Sequence, residues 1–155
     1  MQKIAISFFI FLFIATSSLA QTSRDKKQVI FTGSIIVSHY LGGEAGVLYA
    51  EPPSFGPCGS GLMAGPRFSA ECYFPPNGIM VAPKIGYEFD LVVFGARGSI
   101  ADYTDFHKHD VRFTPEIGVT ALGGMDIFYG YNIPLTTNRL PQTPGHRLTI
   151  SLNMF

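Results

Sequence analysis

Ile79-Met80-Val81-Ala82-Pro83-Lys84-Ile85-Gly86-Tyr87-Glu88-Phe89-Asp90 runs with a period of two. Ile79, Val81, Pro83, Ile85, Tyr87 and Phe89 fall in one phase, and Lys84, Gly86, Glu88 and Asp90 in the other. Successive side chains of a strand point to opposite faces, so this stretch is a strand with one apolar and one charged face. The same order recurs from Gly61 to Phe155. Phe68, Ala70, Cys72 and Phe74 oppose Arg67, Ser69 and Glu71. Val92, Phe94, Ala96 and Ile100 oppose Gly95, Arg97 and Ser99. Phe113, Ile117 and Val119 oppose Arg112, Thr114, Glu116 and Thr120, and Ile127, Tyr129 and Tyr131 oppose Asp126, Gly130 and Asn132.

Composition says which face meets what. The chain is 46% hydrophobic and 14% charged, with a net charge of zero. A soluble domain carries about 25% charged residues, because its outer face must be hydrated. Balanced charge gives no basic field and so points to no nucleic-acid partner. Eleven prolines and 17 glycines suit many short strands joined by turns. No sustained 3.6-residue apolar period is present.

The N-terminus reads as an export signal. Lys3 supplies a positive lead, Ile4 to Ile14 an apolar segment, and Ser18-Leu19-Ala20 a small-x-small cleavage site. The apolar run is shorter than the ~18–20 residues of a spanning helix. Cleavage is expected after Ala20, dividing the chain into a signal peptide (1–20), a polar lead-in (21–28) and a single β domain (29–155). No later stretch is a candidate membrane helix, so any crossing must be made by strands.

Eight strands are predicted: Val29–Tyr40, Glu44–Ala50, Leu62–Phe74, Ile79–Asp90, Leu91–Ala101, Val111–Leu122, Met125–Leu135 and Arg147–Phe155. Most approach the ~9–11 residues of a tilted membrane-crossing strand. From the third strand on, short turns at Asp90 and Gly123 alternate with longer polar loops at Asp102–Asp110 and Thr136–His146. The first hairpin departs from this alternation: Leu41-Gly42-Gly43 reads as a short turn where a loop belongs, and Pro52–Ser60 is long where a turn belongs. Pro66, Pro83, Pro115 and Pro134 fall in the apolar phase, and each removes a ladder hydrogen bond, so the expectation there is bulges, or positions near the membrane boundary where water can pair the orphaned carbonyl.

Gly65-Pro66-Arg67-Phe68-Ser69-Ala70-Glu71, Ala82-Pro83-Lys84-Ile85-Gly86-Tyr87-Glu88, Tyr129-Gly130-Tyr131-Asn132-Ile133-Pro134-Leu135 and the terminal Phe155 carry a resemblance. The chain resembles the small outer-membrane β-barrel proteins of Gram-negative bacteria, the OmpA/OmpX-like barrel class, in its Bacteroidota-type form. The resemblance implies an all-β, eight-stranded antiparallel up-and-down transmembrane barrel in the outer membrane. It also implies a monomer in contact with outer-membrane lipid, assembled by the barrel-assembly machinery through the strand that ends at Phe155. In that strand Leu148, Ile150, Leu152 and Met154 are out of phase with Phe155, a departure from the usual assembly signal.

In such a barrel Arg67, Glu71, Lys84, Glu88, Asp90, Arg97, Arg112, Glu116 and Asp126 point into the lumen. Eight strands leave room only for side chains, so these charges are expected to pair across a plugged interior. Arg67 and Glu71, like Lys84 and Glu88, lie ~13 Å apart along one strand, so their partners must be on neighbouring strands.

Three further features could carry chemistry. Asp105-Phe106-His107-Lys108-His109-Asp110 holds metal-ligating residue types, but reads as a solvated loop, and no metal or cofactor is assigned. His39, His107, His109 and His146 lie in no recognisable nucleophile motif, so no catalytic residue is assigned. Cys58 and Cys72 are exported in this reading, which leaves a disulfide open. The expectation is a non-catalytic envelope protein with a structural or surface-interaction role. The alternatives are a soluble periplasmic lipocalin-like barrel with an apolar ligand inside, or a barrel-embedded lipid-modifying enzyme.

Overall fold

The computed structural model describes residues 27–52, 62–76, 78–121, 124–137 and 139–154. The predicted signal peptide, most of the lead-in, Cys58 and Phe155 lie outside the described residues.

Alternating sequence becomes alternating burial in every long strand. The strands are β1 (Gln28–Val37), β2 (Leu41–Ala50), β3 (Met63–Tyr73), β4 (Met80–Asp90), β5 (Phe94–Thr104), β6 (His109–Ala121), β7 (Met125–Tyr131), β8 (Ile133–Pro134) and β9 (His146–Met154). All pairings are antiparallel, in the order β5-β4-β3-β2-β1-β9-β7-β6, and β6 pairs back with β5. β8 continues β7 along β6 in the same register, so nine segments make the eight staves of a closed barrel. β1 and β9 close it, with Phe31 opposite Met154 and Val37 opposite Leu148. The described ends of the chain therefore lie at one mouth, here called the termini end. The turns after β1, β3, β5 and β8 lie at the other, the loop end.

Three boundaries correct the sequence reading. The first turn is Ser38-His39-Tyr40, not Leu41-Gly42-Gly43. Val37 pairs with Leu41, and the Ser38 hydroxyl donates to the Tyr40 carbonyl at 2.7 Å while accepting from the Tyr40 amide at 3.3 Å. Gly42, which resembled a turn residue, is inside β2 because a Cβ there would lie 2.6 Å from the Tyr73 ring. The glycine makes room for an interior tyrosine. Next, β5 begins at Phe94, not Leu91, and the turn is the exposed apolar Leu91-Val92-Val93. Finally, β6 begins at His109, two residues before the expected Val111.

The prolines interrupt ladders without bulging them. The β2–β3 pairing stops at Arg67, next to Pro66. The β4–β5 ladder lacks partners at Ala82 and Pro83, then resumes at Val81 in an unchanged register. On β6 the pairing skips Thr114 and Pro115, between Phe113 opposite Ile133 and Glu116 opposite Gly130, again with one register on both sides. Each proline loses one ladder bond on one side and keeps its pairing on the other, so no extra residue is inserted.

The interior is layered along the barrel axis. Ile30, Leu48, Ala50 and Met63 pack together toward the termini end. Ile36, Tyr73, Met80, Ala82, Ala101, Tyr103 and Leu140 form a second apolar cluster toward the loop end. Leu140 comes from the loop after β8, which folds inward: its amide donates to Asp110 Oδ2 at 2.9 Å, and the Asn132 amide donates to the Pro144 carbonyl at 2.9 Å. Charged side chains fill the space between the two clusters.

Candidate functional site: the ionic interior

The inward phase of β2, β3, β4, β5, β6, β7 and β9 converges on one set of buried charges. Arg67, Glu71, Lys84, Glu88, Asp90, Arg97, Arg112, Glu116 and Asp126 are all buried inside the barrel. Glu44, Asp110 and Arg147 are buried with them and were not assigned to the lumen from the sequence. Their signal was present. Glu44 shares the inward phase of Leu48 and Ala50, Asp110 that of Arg112 and Glu116, and Arg147 that of Thr149, Ser151 and Asn153.

Toward the loop end, three carboxylates meet three cations. Lys84 Nζ lies 2.9 Å from Glu71, 3.3 Å from Glu44 and 3.4 Å from Glu116. Arg147 reaches the same three, at 2.6 Å to Glu71, 3.3 Å to Glu116 and 3.5 Å to Glu44. Arg67 binds Glu44 at 3.0 Å. Tyr73 and Tyr103 each donate a hydroxyl to Glu71 Oε2 at 3.0 Å, and Thr149 donates to Glu116 at 3.0 Å. Nearby, Arg112 holds Asp110 at 2.6 Å.

Toward the termini end, the balance differs. Arg97 contacts Glu88 at 2.7 Å and Asp126 at 3.1 Å, and its guanidinium lies 3.8 Å over the Phe128 ring. Arg67 reaches across to Glu88 at 2.8 Å, linking the two groups. Oxygen atoms of Glu88, Asp90 and Asp126 lie within 4.8 Å of one another. Among the described residues no well-aligned donor meets either carboxylate oxygen of Asp90, Glu88 Oε1 or Asp126 Oδ1, and the Asp90 and Glu88 carboxyls adjoin each other. Gly95, opposite Asp90 in the β4–β5 ladder, leaves the space that Asp90 and Phe128 occupy, because a Cβ would collide with both.

The other candidates are dispersed. Asp105 accepts from the backbone amides of His107 at 3.0 Å and Lys108 at 2.7 Å in a loop where Phe106 takes a φ of 69°. The Lys108 and His107 N–H groups hold its carboxyl below the ordinary range. His109 turns to Asp102 at 3.1 Å, and Asp110 points inward to Arg112, so the segment does not gather into one ligand set. His39 and His146 line a groove of about 440 Å³ on the outer wall with Ser38 and Tyr129. His146 Nδ1 shares a 2.6 Å hydrogen bond with the Tyr129 hydroxyl, while the Ser38 hydroxyl is engaged with its own turn, so no serine–histidine pair forms there. Cys72 is half-buried on the outer face of β3.

The outer wall is apolar. Phe31, Ile35, Ile85, Tyr87, Ile117 and Leu152 are all exposed, Ile117 by 69%. Glu71, Glu88, Asp110 and Asp126 are each 0% exposed. The barrel is a globular protein turned inside out. Comparison with protein-family models, with curated proteins and with solved structures finds no match.

Proposed function

We propose that this protein is an exported outer-membrane β-barrel whose apolar wall faces lipid and whose interior is a packed ionic plug, with a structural or surface-contact role and no catalysis. The observation that carries the reading is the inverted burial: ion pairs fill the inside while large aliphatic and aromatic side chains cover the outside. Exposing so much contiguous apolar surface to water is unfavourable, and patches of this kind mark contact with lipid or protein. The long strands of 9–13 residues fit the span of a tilted membrane strand. Exposed aromatics gather toward both mouths, with Phe31, Phe89 and Phe94 at the termini end and Phe74, Tyr129 and Tyr131 at the loop end. Such girdles are the habit of membrane barrels at the two interfaces.

A lipocalin-like reading needs an apolar interior cavity for its ligand, and the charged interior described above speaks against it. In the membrane orientation the termini end faces the periplasm and the loop end faces outward. Buried side chains and their ion pairs crowd the interior among the described residues, which supports a plugged lumen, so the barrel is expected to be silent in single-channel recording.

Cell fractionation followed by gel electrophoresis with and without heating tests the reading. The expected result is recovery in the outer-membrane fraction and a mobility shift on boiling. Recovery in the soluble periplasm without a shift overturns it.

A further inference from the structure

The charges inside the barrel do not cancel, and the surplus sits in one place. The loop-end group balances Glu44, Glu71 and Glu116 against Arg67, Lys84 and Arg147. Arg112 matches Asp110. What is left is Arg97 against Glu88, Asp90 and Asp126. With every carboxyl ionised, this pocket carries two uncompensated negative charges among the described residues. Burying an unpaired carboxylate is strongly unfavourable, so something must neutralise it.

The geometry singles out the kind of neutraliser. Arg97 uses Oε2 of Glu88 and Oδ2 of Asp126, leaving Oε1 and Oδ1 without a well-aligned donor. Asp90 is 1% exposed, and neither of its oxygens has a well-aligned donor. Among the described residues, four carboxylate oxygens of one buried pocket thus meet no well-aligned donor, while the Asp90 carboxyl adjoins that of Glu88 and the Thr120 hydroxyl serves Asp126. One oxygen from each carboxylate lies within 4.8 Å of the other two, so a single ion can sit among them after small side-chain shifts toward the ~2.3–2.6 Å typical of calcium–oxygen bonds. Asn153 donates its amide to Asp126 at 2.9 Å, which fixes that carboxylate in place.

We propose that Glu88, Asp90 and Asp126 bind one divalent cation, Ca²⁺ in preference to Mg²⁺, inside the termini end of the barrel. One divalent ion cancels the surplus. The preference follows from space. Phe128 and the close approach of Gly95 confine the pocket, and Mg²⁺ holds several of its waters where Ca²⁺ accepts a ligand set rich in protein oxygens. The assignment does not depend on where in the cell the barrel resides.

The test uses the purified, folded full chain, stripped with EDTA and dialysed at neutral pH. CaCl₂ and MgCl₂ are titrated separately by calorimetry, and bound metal is measured by elemental analysis after exchange into CaCl₂. One Ca²⁺ per chain is expected, with a rise in the temperature at which the folded gel band converts to the unfolded one. Asp90→Asn and Asp126→Asn should each weaken Ca²⁺ binding at least about tenfold, the scale on which metal-site partners act. Asp105→Asn, in the solvated loop, should leave it unchanged. Failure of the wild-type protein to take up stoichiometric Ca²⁺ overturns the site, and protons then supply the neutralisation. Undiminished binding by a folded Asp90→Asn protein overturns the residue assignment, and equal affinity for Mg²⁺ overturns the ion preference. If either variant does not fold, wild-type stoichiometry and the Ca²⁺-dependent conversion temperature still decide.

Discussion

The two halves of the barrel interior are built from one inward phase yet solve opposite problems. Toward the loop end, Lys84 and Arg147 each touch all three of Glu44, Glu71 and Glu116, so every charge is met several times over. Toward the termini end, Arg97 serves Glu88 and Asp126 while Arg67 reaches in only to Glu88, and among the described residues Asp90 faces no cation within ion-pair distance. The first arrangement is closed. The second is open to one more positive charge. Strand alternation decides that a residue points inward, but the tally of opposite charges at each level decides whether it stabilises the barrel or waits for a partner.

The sharpest way to break this comparison is Arg147→Met. It leaves the loop-end carboxylates without a guanidinium that three of them share, and breaking a buried pair costs about 3–5 kcal/mol. Loss of the heat-resistant folded band, or a large fall in its conversion temperature, is expected. A conversion temperature near that of the wild type would mean the loop-end network contributes little. Next in size is a pair of neutral isosteres measured in EDTA. Glu71→Gln removes an acceptor from Lys84, Arg147 and two tyrosines, and should destabilise by about 3 kcal/mol. Asp90→Asn removes surplus charge and should change stability by less than about 1 kcal/mol, or increase it. Urea midpoints of the two variants side by side give the answer. Equal losses would erase the distinction between a balanced and an unbalanced end.

How much of this was legible in the sequence follows from what alternation can and cannot carry. Period-two patterning in Ile79–Asp90 and its relatives predicts the staves and sets Arg67, Lys84, Glu88 and Arg97 on one face, because facing is a local property of a strand, while low charge and the barrel resemblance turn that face inward. The separation of Arg67 from Glu71 also predicts cross-strand partners, and Lys84 does reach Glu71 while Arg67 reaches Glu88. Register is a property of pairs of strands, and it hid the rest. Gly42 reads as a turn because the residue that needs its space, Tyr73, is distant in sequence. Prolines suggest bulges until the register shows gaps in one ladder with no shift. Glu44 and Arg147 were missed as lumen charges because each opens its predicted strand, where few neighbours fix the phase, and Asp110 because it closes a predicted loop. The charge surplus at Asp90 needs all eight staves at once and cannot be read from any one of them.

Asp105 supplies the solvated reference against which both buried groups can be judged, and it carries the smallest expected effect. Its carboxylate lies at the surface and is held by the amides of Lys108 and His107, which stabilise the charged form and lower its pKa. A depressed carboxyl contributes only while ionised: the contribution is complete above the ordinary aspartate range, near pH 3.9, and is lost as pH falls through the lower folded value. The loop should therefore keep its conformation to more acidic pH than an uncapped aspartate would allow. Asp105→Ala should speed amide exchange at His107 and Lys108 at neutral pH without moving the conversion temperature of the barrel, since no interior contact involves it. Phe106, held at a φ of 69° that bulky side chains avoid, should relax in the same variant. If Asp105→Ala lowers the conversion temperature as far as Glu71→Gln does, the loop is coupled to the interior. The contrast would then lie between a stable loop end and a loose termini end, and not between balanced and unbalanced charge.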